Sequence, residues 1–207
     1  MKMIYGTTNA NKVIDIKAII AAHGANIEVV SLKDINFYGE IEENGLTFEE
    51  NSLIKALAVK EFCDKNKIEY DIITTDDAGT CVDCLDGAPG IYSARYAGEN
   101  ATQEECLKKL LSDIDKTGDK ERKAQFICVL TSFLKDGTKI VSKGECHGTI
   151  AKEITILGGL TYAPVFIPEG YEVPMLQLSA EQYKKVHNHR DRAFEQLLEQ
   201  IKQHNQK

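Results

Sequence analysis

A mixed α/β fold is predicted for this chain. Three observations predict its α/β character. A short apolar strand turns directly into an amphipathic helix at the N-terminus, two Thr-x-x-Glu capping boxes open later helices, and a long strand-turn-strand pattern occupies the middle of the chain. At 207 residues and 43% hydrophobic content the chain can bury a real core, and no repeat, low-complexity tract or linker interrupts it, so residues 1–207 are expected to form one domain.

Residues 2–7 (KMIYGT) read as the first strand. The segment after it places Val13, Ile16, Ile19 and Ile20 at the spacing of a helix face. A second strand is expected over 27–32 (IEVVSL), followed by an acidic, glycine-containing loop. Thr47-Phe-Glu-Glu50 then caps a helix that carries Leu53, Ile54, Leu57, Ala58 and Phe62. DIITTDDAG (71–79) is an apolar strand running into paired aspartates. After a Gly/Pro-rich loop, Thr102-Gln-Glu-Glu105 caps a helix expected to bury Leu107, Leu110, Leu111 and Ile114. From Gln125 to about Ala151 the pattern is a hairpin turning at Asp136-Gly137. A Gly/Pro-punctuated segment (158–174) leads to a last helix with Phe194, Leu197, Leu198 and Ile201 on one face.

The formal charge of −7 and a pI near 5.3 argue against non-specific binding to nucleic acid or to acidic membranes, because no basic tract is present to neutralise a run of phosphates. An anionic substrate would need a metal ion and a local basic pocket. No stretch approaches the roughly 18 apolar residues of a membrane span, and the opening MKMIYGTTNANK lacks a long apolar signal region. A cytoplasmic protein with free thiols is the expectation. Cys81 and Cys84 form a lone CxxC, with no second pair or spaced His pair to complete a zinc site.

Three segments could carry chemistry. Thr7-Thr8-Asn9-Ala10-Asn11-Lys12 lies where strand gives way to helix, and the free N–H groups of a helix N-terminus attract anions. It is neither GxxxxGK[ST] nor GxGxxG, and the plainer reading makes Asn9 a helix N-cap and Lys12 a solvated charge. Asp76-Asp77, at the carboxyl end of a buried strand, supplies the oxygen ligands a hard cation such as Mg²⁺ requires, or a carboxylate to orient and deprotonate water. Glu40-Ile-Glu42-Glu43 could join it, or could be an ordinary acidic surface loop. Lys184 to Arg190 (KKVHNHR) concentrates cations and polar groups before the last helix, suited to a purine carbonyl and to phosphate, or else forms a solvated face.

Taken in order, these segments resemble the inosine triphosphate pyrophosphatase family, also described as XTP/dITP diphosphatases. TTNANK at 7–12 is similar to its T-G-N-x-G-K phosphate segment. EENGLTFEENSLIKA at 42–56, TDDAGTCVDCLDGAPGIYSARYAG at 75–98, RKAQFICVL at 122–130, GLTYAPVFIP at 159–168 and NHR at 188–190 follow in the family's order. The resemblance implies Mg²⁺-dependent hydrolysis of non-canonical purine nucleoside triphosphates (ITP, dITP, XTP) to monophosphate and pyrophosphate. Thr7, Asn9 and Lys12 would hold the triphosphate, and Glu42 and Asp77 the Mg²⁺. Asp77 would also accept the proton, supported by Asp76. Tyr162, Lys184, His189 and Arg190 would contact the nucleotide, the last two reaching the O6 edge of hypoxanthine and xanthine. The resemblance also implies an α/β, mixed fold with a long twisted central sheet and flanking helices forming two lobes around a cleft, and a homodimer. The chain departs from the family at Ala78, where serine is usual, at Leu160, Thr161 and Ala163 in place of F-G-Y-D, and at Asn188 in place of serine. These changes fall on the base-reading side, while Lys12 and the metal carboxylates are kept. Two alternatives stay open: the same fold retuned to another nucleotide, and a nucleotide-binding protein with weak turnover.

Overall fold

The computed structural model describes residues 1–159 and 162–206. Its sheet has six strands in the order β2-β1-β3-β4-β5-β6: β1 (Lys2–Tyr5), β2 (Glu28–Ser31), β3 (Ile72–Val82), β4 (Lys123–Leu134), β5 (Lys139–Ile150) and β6 (Phe166–Pro168). Five α-helices accompany them: α1 (Ala10–Ala22), α2 (Phe48–Asn66), α3 (Gln103–Thr117), α4 (Ala180–Val186) and α5 (His189–His204). The chain divides into two compact units. The first comprises Met1–Asp77, Cys128–Gly144 and Arg190–Lys207, the second Ala78–Ile127 and Glu145–His189. Strands β3, β4 and β5 contribute residues to both. Among the described residues, no helix is long and apolar enough to cross a membrane.

In the first unit β1 pairs in parallel with β2 on one side and with β3 on the other. The chain leaves β1 through α1 to reach β2 on one side, and leaves β3 to reach β4 on the other, so the connections from these two neighbouring strands part at their carboxyl ends. That is a topological switch point, where open α/β sheets bind ligands. The two faces carry different helices. Ile4 and Ile73 pack with Val59 and Cys63 of α2 on one face. Tyr5 meets Phe194 of α5 on the other, with ring centroids 6.0 Å apart. Gly6 is required where β1 ends, because a Cβ there would collide with the Thr75 side chain.

The buried stripe of α2 is not the one its leucines suggest. Asn51, Ser52, Ala56, Val59 and Cys63 face inward, while Leu57 is 50% exposed. Polar side chains are tolerated inside because β3 satisfies them: Ser52 Oγ donates to the Thr75 carbonyl at 3.2 Å, and Thr75 Oγ1 donates to the Ser52 carbonyl at 2.6 Å. Thr47 caps α2, accepting from the Glu50 N–H, but the Glu50 carboxylate accepts from the Leu46 N–H instead of closing the box.

The second unit builds its core from α3 and the outer strands. Thr102 and Glu105 form the full capping box, and Cys106, Leu107, Leu110 and Ile114 are buried while Leu111 is half-buried. Phe126 packs on Phe166 with centroids 4.3 Å apart. Helix α4 has no counterpart in the sequence-based expectation, since its seven residues bury only Val186 and leave no periodic signal; a Ser179–Gln182 capping box starts it.

Candidate active site

Strand β3 does not end at the paired aspartates. It continues through Asp76 and Asp77 to Val82, contrary to the expectation that they close the strand. Only Ile72–Thr74 pair with β1, so the acids lie just past the carboxyl end of the parallel segment, at the switch point. Successive residues of a strand project to opposite faces, and the two carboxylates accordingly find different partners.

Asp76 is 2% exposed and is held by two cations: Lys12 Nζ at 3.2 Å from α1 and Arg190 Nη2 at 3.2 Å from the first turn of α5. Burial alone would raise its pKa. The charges of Lys12, Arg190 and Lys55, with the Tyr5 hydroxyl, outweigh burial and hold the carboxyl well below the usual range. Arg190 is itself buried, and the facing carboxylate raises its pKa further against the cost of burial. Asp76 is therefore a fixed anion.

Asp77 faces α2. Asn51 Nδ2 donates to its Oδ2 at 3.2 Å, and Lys55 Nζ stands 3.6 Å from its Oδ1. Burial pushes the Asp77 carboxyl up; Lys55 opposes that rise, Glu43 adds to it, and the result lies above the ordinary carboxylate value. The Asn51 amide is oriented at its other end, where Oδ1 accepts from the Gly45 N–H at 2.8 Å. Lys55 also binds Glu43 at 2.7 Å. Burial works against its ammonium, yet Asp76, Asp77 and Glu43 together raise its pKa.

Of the sequence-predicted residues, Lys12, Asp76, Asp77 and Arg190 come together in the first unit. Thr7 and Asn9 stand at the start of α1. Thr7 Oγ1 accepts from the Asn9 N–H at 3.2 Å, and Asn9 Oδ1 caps the helix by accepting from the N–H groups of Asn11 and Lys12. That is the plainer reading of Asn9, and Lys12 is an ion-pair partner, not a solvated charge. In the acidic loop it is Glu43 that reaches Lys55, while Glu42 is exposed. Sequence reasoning missed Lys55 and Asn51, although their i, i+4 spacing marked one helix face on which both could act together.

In the second unit Lys184 is exposed on α4, and His189 is buried with its ring stacked 4.9 Å from Phe126. Tyr162 is 1% exposed in the core, and its hydroxyl donates to the Ser93 carbonyl at 3.0 Å. The hydroxyl is thereby fixed within the core of the second unit. Ala163 belongs to the same core; Leu160 and Thr161 lie outside the described residues.

Among the described residues no three His, Cys, Asp or Glu side chains converge as a preformed metal cage. The oxygen donors that do converge are those of Asp77 and Glu43, and a cation, the Lys55 ammonium, already sits on both. Carboxylate oxygens grouped on a positive charge are the donor chemistry a hard divalent ion takes.

A model described as the Ham1 family matches residues 3–200. The chain belongs to the Ham1 family. A protein of Clostridium perfringens named dITP/XTP pyrophosphatase is 38% identical over 202 residues, covering 97% of this chain and 97% of that protein. One of the same name from Christiangramia forsetii is 39% identical over 201 residues, covering 97% and 99%. The solved structure of the Staphylococcus aureus Ham1 protein superposes with a TM-score of 0.82 at 33% identity, covering 99% of this chain and 100% of that one. This Ham1 family member therefore has the mixed α/β fold expected of it, with helices flanking a mixed six-stranded sheet.

Proposed function

We propose that this chain, residues 1–207 acting as one catalytic unit, hydrolyses non-canonical purine nucleoside triphosphates to the monophosphate and pyrophosphate. One observation carries the reading: two adjacent carboxylates on opposite faces of β3 whose environments push their proton affinities apart, Asp76 down beside Lys12 and Arg190, Asp77 up through burial and the nearby Glu43. A carboxylate with raised pKa suits a proton acceptor working near neutrality, and the names carried by the relatives supply the substrate class.

In this mechanism Thr7, Asn9 and Lys12 meet the triphosphate, and Lys12 neutralises phosphate charge. Asp77 takes a proton from water as the water oxygen bonds to the α phosphorus. The bond from the α phosphorus to the α–β bridging oxygen breaks, and pyrophosphate leaves with that oxygen and the electron pair. Asp76, fixed by Arg190, holds the negative field that keeps Lys55 protonated. Mg²⁺ fits the donor set of Asp77 and the acidic loop, with Glu42 as the family resemblance implies and Glu43 available once Lys55 shifts; when bound it neutralises the charge of the phosphate oxygens. Lys184, His189 and Arg190 are assigned to the nucleotide, and the working form is assigned as a homodimer.

The test is pyrophosphate release with Mg²⁺ from ITP, dITP, XTP, GTP, ATP and the pyrimidine triphosphates. Rates concentrated on ITP, dITP and XTP support the proposal. Equal rates across the panel defeat the substrate class, and nucleotide binding without turnover defeats the enzymatic reading.

A further inference from the structure

Tyr5 occupies a position that packing alone does not explain. It is fully buried on β1 and pairs in register with Thr74. Thr74 and Asp76 are two residues apart and so share a face of β3, the face Tyr5 also lines. The Tyr5 ring rests on Phe194, one helical turn beyond Arg190, so ring and guanidinium approach this face from the same stripe of α5. A hydroxyl sealed from water at such a place needs a partner. The hydroxyl has no hydrogen-bond partner within ordinary geometry, and the charged groups that bear on it are the Asp76 carboxylate and the Arg190 guanidinium. Burial and that negative charge raise the phenol well above its ordinary pKa and keep it a donor.

Lys12 is the partner of Asp76 that the proposed reaction removes. Its side chain is 29% exposed, against 6% for Arg190, and the triphosphate competes for its ammonium. Once Lys12 turns to phosphate, Asp76 keeps Arg190 on one oxygen and needs a second donor to hold its rotamer. We propose that Tyr5 is a positioning residue whose hydroxyl donates to Asp76 when substrate draws Lys12 away, so that the carboxylate stays oriented through the catalytic step. This rests on the pyrophosphatase reading for its kinetic consequence but not for the contact itself.

The experiment is a double-mutant cycle of Tyr5→Phe and Lys12→Met, read by urea unfolding without nucleotide, together with the steady-state kinetics of Tyr5→Phe. Phenylalanine keeps the ring against Phe194 and removes only the oxygen. Tyr5→Phe should cost little stability alone and at least about fivefold more in the unfolding constant when Lys12 is methionine, because the hydroxyl is then the remaining mobile donor. In the nucleotide assay kcat should fall about tenfold with KM within about twofold. Ser142→Ala removes another buried hydroxyl with no partner and should leave kcat unchanged. Additive unfolding energies overturn the proposal whether or not the protein turns over nucleotide, as does an unchanged kcat in an active enzyme. A wild type without turnover refutes the pyrophosphatase reading instead, and the unfolding cycle still decides Tyr5.

Discussion

Replacing Asp76 with asparagine should strip charge from a site that holds two cations. Lys12 and Arg190 each stand 3.2 Å from the carboxylate. At an effective dielectric of about 20 each contact amounts to ~5 kcal/mol of attraction, against a desolvation cost of several kcal/mol per ion. What remains on breaking such a pair, with Arg190 left buried and uncompensated, is about 3–5 kcal/mol. For a chain of this length that lowers Tm by about 6–20 °C. Urea unfolding followed by circular dichroism measures it, since the chain lacks tryptophan. The effect carries a pH signature. The folded pKa of Asp76 is depressed, so its stabilisation is complete above the unfolded value of about 3.9 and is lost as pH falls toward the lower folded value. The gap between wild type and Asp76→Asn should be full at pH 6 and shrink steadily below pH 4. A gap under about 1 kcal/mol at pH 6, or one that does not narrow in acid, would refute the assignment of Asp76 as a fixed anion.

Asp77→Asn should abolish Mg²⁺-dependent pyrophosphate release without unfolding the chain. Because the folded pKa of Asp77 is raised, its carboxylate disfavours the folded state as pH rises through that value, so the Tm of the variant at pH 7.5 should equal or exceed that of wild type; retained turnover sinks the catalytic role. Gly45→Ala brings a methyl group to 2.7 Å from both Asn51 Oδ1 and the Glu50 Cβ, which should cost about 1–3 kcal/mol and, by displacing the amide that holds Asp77, lower activity several-fold. Wild-type rates in that variant would show that Asn51 does not orient Asp77. Tyr162→Phe should cost about 1–2 kcal/mol by orphaning the Ser93 carbonyl, with nucleotide KM unchanged; a KM risen tenfold at constant Tm would show that the hydroxyl serves the nucleotide and not the core.

The legible parts of this fold are those whose causes are local. The Thr102–Glu105 capping box, the Asp136-Gly137 turn and the apolar stripe of α5 each depend on residues within a turn or two, and each stands where the sequence puts it. The course of β3 was not legible, because two aspartates inside a strand contradict local propensity. They are stable there only because Lys12, Arg190 and Asn51 arrive from 64, 114 and 26 residues away. Lys55 was hidden for a related reason: on its own helix it reads as a solvated lysine, and its burial depends on β3 and the acidic loop. Lys12 and the paired aspartates could be marked by residue type and position, but which aspartate is the fixed anion and which has the raised pKa depends on tertiary partners.

The pleat of β3 has a consequence for how this site can be tuned. Two carboxylates delivered by a flexible loop would settle against each other and share a proton as a coupled pair. Here a single peptide step sends them to opposite sides of a sheet, each into its own company of helices. The proton affinity of the acceptor should thus be adjustable apart from the fixed anion: substitutions on α2 shift the acid limb of the activity profile, while substitutions on α1 or α5 change the stability held at Asp76. A one-residue insertion in β3 upstream of the acids would exchange their surroundings, and with them their chemical duties, while leaving every residue of the motif in place.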